Sequence, residues 1–229
     1  MPCWLDQDTL FDTSSTHRRW CASEINNLDE LSYQDLDELI EHGDLLKHDA
    51  TTTVARISFA GREIVVKRYN PRSQWHRFSR AVRQSRASRS WRMSYAFEQA
   101  GLSVARPLLM LEKRLGPLRR TAYFLSEALS GYELLSSIKN LSESEKKQVV
   151  LAMENAFTKM RLNALSHGDL KASNLIWQDQ RLFFIDMDSA KHHQVQSSWV
   201  KANKKDQRRF LKNWQNDEKL MMLFEGLAE

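Results

Sequence analysis

The segment His167-Gly168-Asp169-Leu170-Lys171-Ala172-Ser173-Asn174, followed by Phe184-Ile185-Asp186-Met187-Asp188, constrains this chain more than any other feature. A lysine stands two residues after Asp169, an asparagine five residues after it, and a second aspartate seventeen residues after it. Residues of those types at that spacing suit phosphoryl transfer. Asp169 supplies the carboxylate that orients and deprotonates an attacking hydroxyl. Lys171 supplies positive charge to the phosphoryl group in transit. Asn174 and Asp186 make a pair of hard oxygen donors for Mg²⁺. Taken singly, Asp169 would be a turn cap, Lys171 a solvated surface cation, Asn174 a turn residue and Asp186 a strand-end cap. Together, between a helix and a strand, they form one device. Asp188 is open between a contact near the metal and a cap on the next turn. His167 is expected to orient the loop by a hydrogen bond rather than to carry a proton.

The chain has 229 residues, 41% of them hydrophobic, enough for one large domain or two lobes that share a cleft. A net charge of +5 favours an anionic partner. Cys3 and Cys21 have no metal-ligand spacing and point to a reducing compartment, although one disulfide between them stays open. Asp6, Asp8 and Asp12 stand where a signal peptide would need an apolar run. No window has the length of a membrane span. A soluble, cytoplasmic protein is expected, possessing at most a peripheral place on a membrane surface.

Residues 1–44 read as an appendage carrying one short helix, with Ser32 and Asp35 as its capping pair. Val54, Ile57 and Phe59, then Ala60-Gly61, then Ile64-Val65-Val66-Lys67, predict a hairpin with a lysine near the end of its second strand. Residues 104–111 and 121–125 read as two further strands, the first made irregular by Pro107. Ser130-Gly131 is the expected hinge, just after Glu127. Beyond it the period becomes helical. Ser142 and Glu145 form a capping box, and Val149, Met153, Ala156, Phe157 and Met160 share one apolar face. Residues 182–185 form a buried strand that delivers Asp186. The tail is a helical pair, with Phe210, Leu211, Trp214, Met221 and Phe224 as its inner face. This order gives an α+β body in two lobes: an antiparallel-sheet lobe over 45–129 and a mostly helical lobe over 130–229.

From Ile64 to Phe97 there are nine Lys or Arg and no acid. Arg77, Arg80, Arg83, Arg86, Arg89 and Arg92 recur every three residues, a step that drifts about 60° per repeat around a helix. A continuous packed helix is therefore not expected, and a break at 85–90 precedes a helix over 90–100 ended by Gly101. The favoured use of this charge is to meet an anion, with Trp75, Phe78 and Trp91 in the core or at a lipid interface. The run Lys201, Lys204, Lys205, Arg208, Arg209 and Lys212 reads as an ordinary solvated helix face.

These residues resemble the bacterial lipopolysaccharide core kinases, the heptose and 3-deoxy-D-manno-octulosonic acid (Kdo) kinases of the protein-kinase-like superfamily. The resemblance runs over about residues 50–215 and rests on particular segments. They are Val66-Lys67, Ser90-Trp91-Arg92, Gly101-Leu102-Ser103-Val104-Ala105-Arg106-Pro107, Glu127, Gly131, and the H-G-D-L-K-x-S-N and I-D-x-D segments. It implies a two-lobed kinase-like fold and transfer of phosphate from ATP, with Mg²⁺, to a sugar hydroxyl of the lipopolysaccharide inner core at the cytoplasmic face of the inner membrane. It also implies Lys67 on the α- and β-phosphates and Glu127 where the backbone receives adenine. Two parts of the pattern are missing. No glycine-rich phosphate loop precedes Lys67, so Thr51, Thr52 and Thr53 would have to cover the phosphates. Ser90 stands near where the acidic partner of Lys67 is expected.

Other readings stay open. One is a phosphotransferase of the aminoglycoside or choline kinase type, which the basic surplus disfavours. Another is a catalytically degenerate kinase-like binding protein. Nucleic acid has no use for the Asp-Asn-Asp constellation and is not an expected partner.

Overall fold

The computed structural model describes residues 9–22, 27–70, 84–116 and 118–228. The arginine-rich stretch with Trp75, Arg77, Phe78, Arg80 and Arg83, and Cys3, lie outside them. The chain divides into two compact units, Met1–Tyr95 with Arg106–Ala128, and Ala96–Ala105 with Leu129–Glu229.

The first unit is built on β1 (Thr9–Thr13), β2 (His17–Ala22), β3 (Asp44–Asp49), β4 (Thr52–Phe59), β5 (Arg62–Tyr69), β7 (Pro107–Leu115) and β8 (Leu118–Glu127). The order across the sheet is β1-β2-β7-β8-β5-β4-β3. Each neighbouring pair is antiparallel. The strands over 9–22 therefore extend this sheet, whereas the sequence reading set residues 1–44 apart from it. Their polar composition hides them, because β2 gains its place by pairing with β7.

Side chains alternate between the two faces of a strand. One face carries Cys21, Ala55, Ile64, Val66, Leu109, Leu111, Tyr123 and Leu125, covered by Leu36 and Ile40 of α1 (Tyr33–His42). The predicted capping box of α1 is present: Ser32 Oγ accepts from Asp35 N, and the Asp35 carboxylate accepts from Ser32 N. Asp37 of α1 accepts from Tyr123 Oη at 2.8 Å and pairs with Arg68 at 3.1 Å, which ties the helix to the sheet.

The opposite face carries Trp20, Tyr69, Met110, Ala122 and Phe124, against Ala87, Trp91 and Tyr95 of α2 (Arg86–Gln99). This helix starts four residues before the expected position. Two arginines that argued against a packed helix are absorbed by rings. The Arg86 guanidinium lies 4.7 Å from the Tyr69 ring centroid, and Arg92 lies 5.3 Å from that of Trp20. Both thus lie against rings while Arg86 stays exposed and Arg92 half-buried, so packing and charge are combined at these positions. Residues 104–111 are not one strand either. Ser103–Val104 (β6) pairs with a strand of the second unit's sheet, and β7 begins at Pro107 with a register shift before Leu109.

The second unit contains a four-stranded sheet in the order β6-β12-β11-β9. Its remaining strands are β9 (Tyr132–Glu133), β11 (Leu175–Gln178) and β12 (Arg181–Phe184). β10 (Leu165–Ser166) pairs separately with β13 (Lys191–His192). The helices are α3 (Leu134–Ser137), α4 (Glu143–Leu162), α5 (Gln196–Lys212) and α6 (Glu218–Phe224). Both halves of the α4 capping box form, and Val149, Met153, Ala156, Phe157 and Met160 are buried as the periodicity requires. In the tail, Phe210, Trp214 and Phe224 pack ring on ring, with centroids 5.0–5.7 Å apart. Leu211 and Met221 are only half-buried, and Leu220 takes the inner place. Gly131 lies against the β11 backbone, where a Cβ would meet the Trp177 carbonyl oxygen at 2.5 Å. No helix among the described residues is long and apolar enough to cross a membrane.

Candidate active site

The loop from His167 to Asn174 joins β10 to β11 and is held from several sides. Gly168 adopts φ +79°, and a Cβ there would come within 2.4 Å of the Ser189 carbonyl oxygen, so only glycine fits. The buried Asp206 carboxylate of α5 accepts from the backbone N–H of His167 at 2.8 Å and of Gly168 at 3.0 Å, with a longer contact to Leu170 N at 3.5 Å. Trp199, two turns earlier on α5, donates its indole N–H to the Leu165 carbonyl at 3.0 Å. One helix thereby fixes both the strand that enters the loop and the loop itself.

Within this frame Asp169 is 26% exposed in its side chain. Lys171 Nζ lies 3.1 Å from its Oδ2, and Arg209 of α5 donates to its Oδ1. Arg209 also donates to the Gly168 carbonyl at 3.0 Å. Asn174 closes a 3₁₀ turn, Ala172–Asn174, and donates its amide N–H to the Asp169 carbonyl at 2.8 Å. A carbonyl can only accept, so this bond identifies the Asn174 amide nitrogen and turns its oxygen elsewhere. The Asn174 carbonyl accepts from Ile185 N at 3.0 Å, and Leu175 pairs with Phe184, so Asn174 and the residues leading to Asp186 sit at one end of the β11–β12 hairpin.

Asp186 has φ 60° and ψ 54°, a left-handed conformation in which non-glycine residues are uncommon. An aspartate held this way at a strand end is a frequent mark of a functional turn. His167 is fully buried, edge-on to Phe97 and near Phe184. Its Nε2–H donates to the Ile185 carbonyl at 2.9 Å, which places a proton on Nε2 and ties the loop to the residue before Asp186. This is the orienting hydrogen bond expected of it. Asp188 is buried and accepts from Ser189 Oγ at 3.4 Å.

Asn174 Oδ1 and the Asp186 carboxylate offer only hard oxygen donors, which suits Mg²⁺. Among the described residues no group of three His, Cys, Asp or Glu gathers as a metal cage.

Lys67 and Glu127 belong to the first unit. Lys67 lies on the sheet face of Tyr69, with its Nζ 6.0 Å from that ring centroid. Ser90 is buried, and its hydroxyl bonds Tyr69 Oη at 3.3 Å. Glu127 ends β8 and donates its N–H to the Arg106 carbonyl at 3.0 Å. The threonines expected over the phosphates are already engaged. Asp49 Oδ1 accepts from Thr51 N, Thr52 N and Thr51 Oγ1 at 2.8–2.9 Å, while Thr52 Oγ1 accepts from Arg86 and Thr53 Oγ1 bonds His48. Those bonds to Thr51 hold the Asp49 carboxyl well below its usual range, with Lys47 adding to the effect. The turn between β3 and β4 thus carries its own anion.

Sequence reasoning missed Asp206 altogether and read Arg209 as part of a solvated face. A signal for Asp206 was present. It is the single acid in an otherwise basic helix, and it stands seven residues after Trp199 and four before Phe210, on the buried stripe. A charge at a core position needs partners, and the backbone N–H groups of the loop provide them.

The model of the lipopolysaccharide kinase (Kdo/WaaP) family matches residues 40–221. A solved structure described as WaaP in complex with acyl carrier protein superimposes with a TM-score of 0.60 at 17% identity, covering 85% of this chain and 82% of that one. That likeness is one of fold, α+β and protein-kinase-like. No curated protein sequence matches the chain.

Proposed function

Because the chain belongs to the lipopolysaccharide kinase (Kdo/WaaP) family, we propose a residue-level account of how it phosphorylates a core sugar. The protein is a phosphotransferase that acts on a sugar hydroxyl of lipopolysaccharide core, and its family implies ATP as the phosphate donor. In our reading Asp169 orients the acceptor hydroxyl and takes its proton as the oxygen attacks the terminal phosphate. Lys171 leaves the Asp169 carboxylate and follows the charge of the migrating phosphoryl group. Asn174 and Asp186 hold Mg²⁺, which when bound neutralises the phosphates. Lys67 meets the α- and β-phosphates, and the strand end at Glu127 meets adenine.

The observation that carries this reading is the loop anchored by Asp206. It presents Asp169, with Lys171 at 3.1 Å and Asn174 tied to its backbone at 2.8 Å. Preorganised charge of this kind is where phosphoryl-transfer enzymes gain most of their rate. Peripheral contact with the anionic face of a membrane is part of the proposal, and the net charge of +5 supports it.

The test is mass spectrometry of core oligosaccharide incubated with the protein, ATP and Mg²⁺. Gain of one phosphate on a defined sugar is expected. Tight ATP binding with no phosphate gained on any core sugar would favour a degenerate, non-catalytic kinase-like protein instead.

A further inference from the structure

Asp206 and Arg209 are three residues apart on α5 and reach the same loop from one helix face. Their roles differ. Asp206 is buried and bonded only to backbone N–H groups. Arg209 is 37% exposed in its side chain and meets the reactive carboxylate itself. It does so through a single nitrogen. Nη1 donates to both Gly168 O and Asp169 Oδ1, while Nε and Nη2 make no hydrogen bond among the described residues. A guanidinium presents its donors as a planar fork that matches carboxylate and phosphate. Half of that fork is unused here, beside the oxygen to which the acceptor hydroxyl must come. Merely holding the loop would not require it, since Asp206 already does so through three backbone amides.

We infer that Arg209 is a specificity-determining residue that binds an anionic group of the acceptor, a carboxylate or a phosphate next to the hydroxyl being phosphorylated. The inference rests on the proposed role of Asp169. The Gly168 carbonyl keeps the guanidinium in place while its free edge takes the anion. The acceptor anion then competes with Asp169 for the same cation and loosens the pairing at Oδ1 as the hydroxyl arrives. An acceptor without the anion loses both the contact and that release. The acceptor is therefore one that carries a carboxylate or a phosphate beside the hydroxyl, on the same sugar or on its neighbour.

The experiment compares three acceptors: native core oligosaccharide, the same material with its carboxyl groups reduced to alcohols, and the same material dephosphorylated. Wild-type protein and Arg209→Gln are assayed with each, and KM is measured for acceptor and for ATP. With the native acceptor, Arg209→Gln is expected to raise the acceptor KM about tenfold, with little change in the KM for ATP. With one stripped acceptor the wild-type KM rises by a similar factor, and the gap between wild type and variant closes. Closure on the reduced acceptor identifies a carboxylate, and closure on the dephosphorylated one a phosphate; either supports the inference. A gap that persists on both, or wild-type KM values equal for all three acceptors, overturns it and leaves the kinase assignment standing. The wild-type comparison alone decides if the variant does not fold. Wild-type protein that phosphorylates none of the three overturns the role of Asp169 and this inference with it.

Discussion

The Asp206 carboxylate accepts the backbone N–H groups of both His167 and Gly168, at 2.8 and 3.0 Å, from a position only 1% exposed. A helix far along the chain thereby sets the backbone of the loop that carries Asp169. Hydrogen bonds to an ionised acceptor contribute about 1.5–3 kcal/mol, and amides left unpaired in the interior add their own cost. Asp206→Ala should lower stability by about 3 kcal/mol, read from urea unfolding, and should lower kcat as well. Asp206→Asn keeps one acceptor oxygen and should fall between. Stability and kcat both unchanged in Asp206→Ala would show that the loop holds its shape without this anchor.

Gly168→Ala should be more damaging than its size suggests. The new methyl meets the Ser189 carbonyl at 2.4 Å, and the φ of +79° disfavours any side chain. We expect at least about 2 kcal/mol of lost stability and little residual turnover. Circular dichroism melts and the phosphate-transfer assay report the two effects separately. Wild-type activity in this variant would mean that the loop adopts another backbone when working.

Ser142→Ala should affect stability alone. Ser142 and Glu145 satisfy one another's backbone N–H groups at the start of α4, remote in sequence from the loop. Loss of such a cap costs about 1 kcal/mol. A lower melting temperature with unchanged kcat is the expected result, and a fall in kcat at a temperature where the variant is fully folded would count against it.

The first unit should weaken in alkali. Burial pushes the Cys21 thiol up to about 12 and the Tyr33 phenol up to about 12. Burial, followed by its bond to Asp37, raises Tyr123 as well. The ordinary values are 9.0 for the thiol and 10.0 for the phenols. Above these the unfolded chain has released protons that the folded chain still binds, so stability falls as pH rises from about 9 towards 12. Urea midpoints compared at about pH 8 and about pH 10.5 test this, and Cys21→Ala should flatten the lower part of the decline. A midpoint that does not move would show that these groups titrate alike in both states.

The legible parts of the chain were those where local chemistry and tertiary demand agree. The Ser32 and Ser142 caps, the Ala60-Gly61 turn and the apolar face from Val149 to Met160 each carry their reason within a few residues. The H-G-D loop was legible because its residue types have few other uses together. The α2 start was misread because its arginines were counted as charges to be solvated, when Tyr69 and Trp20 offer them rings from distant strands. β1 and β2 were missed because a polar stretch shows no pattern until β7 is placed beside it. Asp206 was missed because its partners are backbone amides, which no sequence pattern displays.

The central claim is that Asp169 is the base, and it is best tested by Asp169→Asn. The amide keeps the size of the side chain but cannot take a proton. ATP affinity measured by calorimetry should stay close to that of the wild type, while phosphate transfer to core oligosaccharide falls by about 10²–10⁴-fold. Transfer at the wild-type rate would contradict the account.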